Sequence, residues 1–89
     1  MSIYPIGSQV IILSNYYPRI RDLREDAELT QRELSEKMKI SQAQYWRYER
    51  GYRDIPTDLL IFLADFYNTS TDYILGRTND LHPPKNLYK

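Results

Sequence analysis

Two helix starts of the same chemical kind, eleven residues apart, constrain this chain more than any other feature. Thr30-Gln31-Arg32-Glu33 sets a hydroxyl at a helix N-cap and a carboxylate at N3, the residues of a capping box. Ser41-Gln42-Ala43-Gln44 repeats the device with Gln as the N3 partner. Each pair satisfies N–H groups that the start of a helix otherwise leaves without a partner. Between them, Met38-Lys39-Ile40 leaves room only for a sharp corner. Gly51 stands where a helix would end in the left-handed conformation that glycine tolerates best. The stretch Thr30 to Gly51 is therefore predicted as a short helix over 31–38, a tight turn, and a second short helix over 42–50.

The flanking sequence supplies three more helices. Pro18 suits a first helical turn, and Arg19 to about Ala27 puts Ile20, Leu23 and Ala27 on one face. Leu29 then serves as a core-facing connector. In the second helix Leu34 and Met38 are four apart, with Arg32, Glu33, Glu36 and Lys37 towards water, and Ile40 plugs the turn. In the third, Tyr45 and Tyr48 face inward. Pro56 starts a fourth helix, Thr57 to Tyr67, with a core stripe of Leu60, Leu63, Ala64 and Tyr67. A second apolar stripe, Leu59, Phe62 and Phe66, lies beside it. Ser70 caps a brief fifth helix, Thr71 to Leu75, which ends at Gly76. From Arg77 onward the composition is that of a tail, with Pro83-Pro84 excluding helix.

Residues 1–17 form an uncharged extension in which Ile3-Tyr4 and Val10 to Leu13 have strand composition, broken by Pro5 and Gly7. Such a segment is either poorly ordered or a short strand. A strand alone beside a helical domain lacks a partner in its own sheet, so the expected partner is the same strand of a second subunit. A minor-groove arm is disfavoured because no Arg or Lys precedes Arg19. The expected organisation is thus an extension over 1–17, an all-α five-helix domain over 18–78, and a tail over 79–89.

Eighty-nine residues suffice for one small core. With no cysteine, neither a disulfide framework nor a thiolate metal site is available. The longest apolar run, Leu59 to Ala64, is six residues, far below the roughly 20 a membrane helix needs. No signal-peptide pattern opens the chain. These features together predict a cytoplasmic protein without membrane contact. Net charge is zero, yet Lys39, Arg47, Arg50 and Arg53 cluster against a single acid, Glu49, between residues 39 and 53. A local basic surface inside a neutral total suits a binder that relies on specific contacts rather than on charge alone.

Two capped helices joined by a three- or four-residue turn make a helix-turn-helix, whose second helix enters the DNA major groove. The segment from Arg19 to Thr78 resembles the phage repressor/Cro-type (XRE-like) helix-turn-helix family. RIRDLRED, LTQRELSEKM, IS followed by YERG, and LADFYNTSTDYILG carry the likeness, in order and at matching spacing, over about two-thirds of the chain. The resemblance implies a five-helix fold and a two-fold dimer on operator DNA. It implies base reading by Gln42, Ala43 and Arg47, flanked by Gln44 and Trp46. It places Gln31 on a DNA phosphate and Arg50 and Arg53 at backbone contacts, and pairs Arg24 with Glu49 inside the domain. Lys39 departs from the family, which often has Gly in the turn. Tyr45 departs too, replacing a usual Ile or Val, which leaves the base register open.

The residue chemistry agrees with those roles. Gln bonds adenine and Arg bonds guanine bidentately, and Ala accepts a thymine methyl. N–H groups at the starts of the second and third helices add phosphate sites without any side chain, and Lys39 and Ser41 join Gln31 as expected backbone contacts. Against this stands the plain alternative of a solvated helix face. Trp46 either meets DNA or covers its own domain. Leu59, Phe62 and Phe66 either form a homodimer contact or enlarge the core. Enzymatic readings lack parts: His82 is the only histidine, and no phosphate-cradling glycine loop occurs. No cofactor, metal or small-molecule ligand is expected. The functional expectation is a sequence-specific transcriptional repressor that binds double-stranded DNA as a homodimer. It would exclude polymerase, since nothing in the chain resembles a ligand-sensing domain. The alternative is an antitoxin-like or other protein-interaction subunit with secondary DNA binding.

Overall fold

The computed structural model describes residues 2–6, 9–13 and 16–83. Five helices follow one another: α1 Pro18–Asp26, α2 Gln31–Met38, α3 Gln42–Arg50, α4 Thr57–Phe66 and α5 Thr71–Leu75. Ahead of them, β1 Ser2–Ile6 and β2 Gln9–Leu13 pair antiparallel, with Ile3 opposite Ile12 and Pro5 opposite Val10. The expectation that a strand here would lack a partner in its own chain is thereby corrected. Pro5 does not break the segment: it lies within β1, and the second run, Val10 to Leu13, supplies the partner strand from the same chain.

The ends of α2, α3 and α5 have local chemical causes. Thr30 Oγ1 accepts from Glu33 N–H at 3.0 Å, and Glu33 Oε1 accepts from Thr30 N–H at 2.9 Å. Ser41 and Gln44 close the same reciprocal pair at 3.0 and 3.1 Å. Ser70 Oγ caps α5 by accepting from Tyr73 N–H. Gly51 and Gly76 end α3 and α5 in the left-handed region, and Lys39 ends α2 there at φ 60° without glycine's freedom. At Gly51 packing adds a second demand. A Cβ built there would stand 2.9 Å from Tyr16 Cβ.

The core gathers Ile20, Leu34, Met38, Tyr45, Leu63, Ala64 and Ile74, so every helix contributes to it. Leu23, Leu29, Ile40, Leu60 and Tyr67 pack against it, as their spacing predicts. Ala27 does not: it lies one residue past α1 and is exposed. Leu59 and Phe62 are half-buried against the core, while Phe66 and Ile61 are exposed. The second stripe of α4 is thus divided between core and surface.

The segment after Gly76 is not a free tail over its described length. The Arg19 guanidinium lies 4.0 Å over the Tyr73 ring and donates to the carbonyls of Tyr73 (2.8 Å) and Thr78 (2.5 Å) and to Asn79 Oδ1 (2.6 Å). Thr69 Oγ1 donates to the Leu81 carbonyl. The part of the expected tail beyond Pro83 lies outside the described residues.

Candidate nucleic-acid interface

The reading unit is built around a buried carboxylate. Glu49, 2% exposed, sits on the inner side of α3. Arg24 Nε donates to its Oε2 at 2.8 Å, and Arg24 Nη2 to its Oε1 at 3.2 Å. The same guanidinium donates to the Leu29 carbonyl at 2.8 Å, fixing the α1–α2 connection. The Tyr45 hydroxyl donates to Glu49 Oε2 at 2.9 Å, and Gln31 Nε2 donates to Oε1 at 2.8 Å. Side chains from α1, α2 and α3 therefore converge on one acid, which sets the angle of α3 against both preceding helices. Burial alone would raise the pKa of Glu49. The hydrogen bonds from Arg24, Gln31 and Tyr45 outweigh it and hold the carboxyl below its ordinary value. The bond to Glu49 in turn raises the pKa of Arg24. Burial first, then the Glu49 charge, pushes the Tyr45 phenol up. Burial lifts Tyr67 to about 12; its hydroxyl is buried and finds no hydrogen-bond partner among the described residues.

With Tyr45 and Glu49 turned inward, α3 presents Gln42, Ala43, Gln44, Trp46, Arg47 and Arg50 to solvent. Ser41 and Lys39 are exposed at its start, and Arg53 just past its end. All the residues named for base and backbone contact are thus exposed except Gln31, which is half-buried with its amide nitrogen on Glu49. Gln44 has a structural duty as well, since its amide oxygen caps α3.

Two features of this surface escaped the sequence reading. Gln44, Arg47, Tyr48, Arg53, Asp54 and Pro56 line an open cleft of about 360 Å³ between α3 and the loop leading to α4. On the other flank, Trp46 meets Tyr52 with ring centroids 5.2 Å apart, and Arg50 lies 5.5 Å over the indole. The signal for the second was present in the letters: Trp46 and Arg50 are four apart, one helical turn. The cleft had no such signal, because it depends on how the loop folds back.

No helix among the described residues is long and apolar enough to cross a membrane. Among the same residues, no group of three or more His, Cys, Asp or Glu is placed to hold a metal ion.

Two capped helices, a corner at Lys39 and an exposed polar face on the second helix define a helix-turn-helix module. A helix-turn-helix family model matches residues 20–74. The chain belongs to this family, in its XRE type, as the resemblance implied. It is similar to the HTH-type transcriptional regulator ImmR of Bacillus subtilis (strain 168), with 46% identity over 59 residues, 66% of this chain and 46% of that protein. It is also similar to YobD of the same organism, named an uncharacterized HTH-type transcriptional regulator, with 43% identity over 68 residues, 76% of this chain and 61% of that protein. The chain thus spans about half the length of the first relative and about three-fifths of the second.

Proposed function

We propose that the chain regulates transcription by binding double-stranded DNA in a sequence-specific way, without catalysing a reaction. The observation that carries this is the α3 surface: Gln42, Ala43 and Arg47 stand exposed on a helix whose inner side is pinned through Glu49 to α1 and α2. A reading helix held by two neighbouring helices loses little entropy when it enters a groove. Both relatives are named as transcriptional regulators, which supports the same reading.

The finer form of the proposal is a cytoplasmic repressor acting as a homodimer on a near-palindromic operator, with two copies of α3 about one helical turn of DNA apart. Gln42 and Arg47 read bases, Ala43 meets a thymine methyl, and Arg53, Lys39 and Ser41 meet the backbone. Gln31 acts chiefly through Glu49, as a positioning residue. Exposed Ile61 and Phe66 offer apolar surface for the dimer contact, with Leu59 and Phe62 behind them.

Selection of bound duplexes from random DNA tests the proposal. An enriched motif with two-fold symmetry is expected. No enrichment would remove sequence-specific binding, and a single unrepeated half-site would remove the symmetric dimer. On the selected duplex, Gln42→Ala and Arg47→Ala should each weaken binding by roughly 1–3 kcal/mol while leaving the helical circular dichroism unchanged. Wild-type affinity in both would mean that α3 does not read bases.

A further inference from the structure

We propose that Trp46, Tyr52 and Arg50 form a backbone-binding shelf beside the base-reading face. In it the two rings take deoxyribose faces, and Arg50, held over the indole, takes the intervening phosphate. The inference rests on the DNA-binding reading and adds to its phosphate contacts a pair of aromatic rings that meet the sugars.

The three side chains come together for a local reason. Trp46 and Arg50 are one turn apart on α3, and Gly51 reverses the chain in the left-handed region at φ 78°. Tyr52 N–H then donates to the Arg47 carbonyl at 2.9 Å, which returns Tyr52 along α3. Its ring meets Trp46 at an interplanar angle of 41°. The Arg50 guanidinium, 5.5 Å from the indole centroid, is within the range of a cation–π contact.

The shelf does not serve the core. Trp46 and Tyr52 remain 39% and 58% exposed, and neither packs against the core cluster. Ring faces ordered at the surface with a guanidinium among them suit an occupant that is apolar in one part and anionic in the next. The deoxyribose-phosphate chain has that alternation. Trp46 and Arg50 belong to the same helix as Gln42, Ala43 and Arg47, and all five are exposed. Ring contacts with sugar supply affinity that salt does not screen.

Trp46 is the only tryptophan, so its emission reports on the shelf alone. The whole chain is titrated with the selected duplex and with an unrelated duplex, and binding is followed independently by anisotropy of a DNA label. Tryptophan emission should change at saturation with both duplexes. Trp46→Ala should weaken both by a similar factor, roughly tenfold, with an unchanged slope of log K against log salt; Trp46→Phe should retain most of the affinity. Arg50→Ala should lower that slope by about one. Its effect should shrink in the Trp46→Ala background, where the guanidinium has lost its support. Unchanged emission in a saturated complex would overturn the proposal, as would wild-type affinity in Trp46→Ala. A loss confined to the selected duplex would overturn it too, by making Trp46 a base reader. A wild-type chain that binds neither duplex in the anisotropy measurement would remove the DNA-binding reading itself, and the shelf with it.

Discussion

Glu49 is the residue on which the geometry of the reading helix depends. It is almost wholly buried and accepts hydrogen bonds from Arg24, Gln31 and Tyr45. A buried ion pair adds little net stability over an apolar replacement, but leaving one partner unpaired is costly. Glu49→Gln keeps the shape and removes the charge that Arg24 needs. It should lower unfolding stability by roughly 3–5 kcal/mol in urea at neutral pH, a large share of what a small domain has. The pH dependence follows from the depressed carboxyl pKa. A depressed folded-state value means that the stabilisation is present above the unfolded pKa, about 4.3 for Glu. It is then lost as pH falls through the folded value. Urea unfolding below pH 4 should therefore show wild type losing more of its stability than Glu49→Gln does over the same interval. Parallel pH profiles for the two proteins would show that Glu49 is not the responsible group.

At the scale of elements, the glycines that end α3 and α5 separate conformational demand from packing demand. Both occupy the left-handed region, Gly51 at φ 78° and Gly76 at φ 81°. At Gly76 a Cβ would meet nothing within 4 Å, whereas at Gly51 it would press on Tyr16. Gly76→Ala should cost about 1 kcal/mol, the backbone penalty alone. Gly51→Ala should cost clearly more, because Tyr16 must also move. Thermal unfolding of the two variants side by side checks this, and equal shifts would mean that the Tyr16 contact gives way without cost. The comparison also explains what the sequence made visible here. The left-handed ends at Gly51 and Gly76 could be read from glycine's chemistry. The contact with Tyr16 could not, because it joins residues 35 positions apart.

Across the whole molecule, the chain is closed by Arg19. From the start of α1 it reaches the end of α5 and holds the segment that follows. A five-residue helix such as α5 has no stability of its own, so this contact and the burial of Ile74 keep it in place. Arg19→Ala should destabilise the domain by about 1–2 kcal/mol and speed hydrogen exchange first at the amides after Tyr73. Exchange accelerating uniformly over all five helices would show that Arg19 supports the domain as one unit instead. The composition after Arg77 suggested a tail because it carries no apolar periodicity. The segment is held by backbone carbonyls and one amide side chain, which leave no pattern in the letters.

Tyr48, expected to face inward with Tyr45, is half-buried and lines the open cleft instead. Otherwise the sequence by itself determined the helices, the caps of α2, α3 and α5, and the inner and outer sides of α2 and α3. Those depend on interactions within about four residues, which periodicity and capping chemistry record. It also carried the family, since the matching segments preserve both core spacing and turn chemistry. Tertiary structure alone decided that Gln31 and Tyr45 join the Arg24–Glu49 pair, that Arg19 closes the domain, and that Leu59 and Phe62 lean into the core while Phe66 stays exposed. It also decided that Tyr52 returns to Trp46. Each of these depends on how distant elements are oriented once the core is packed, and no local pattern of residue types encodes that orientation.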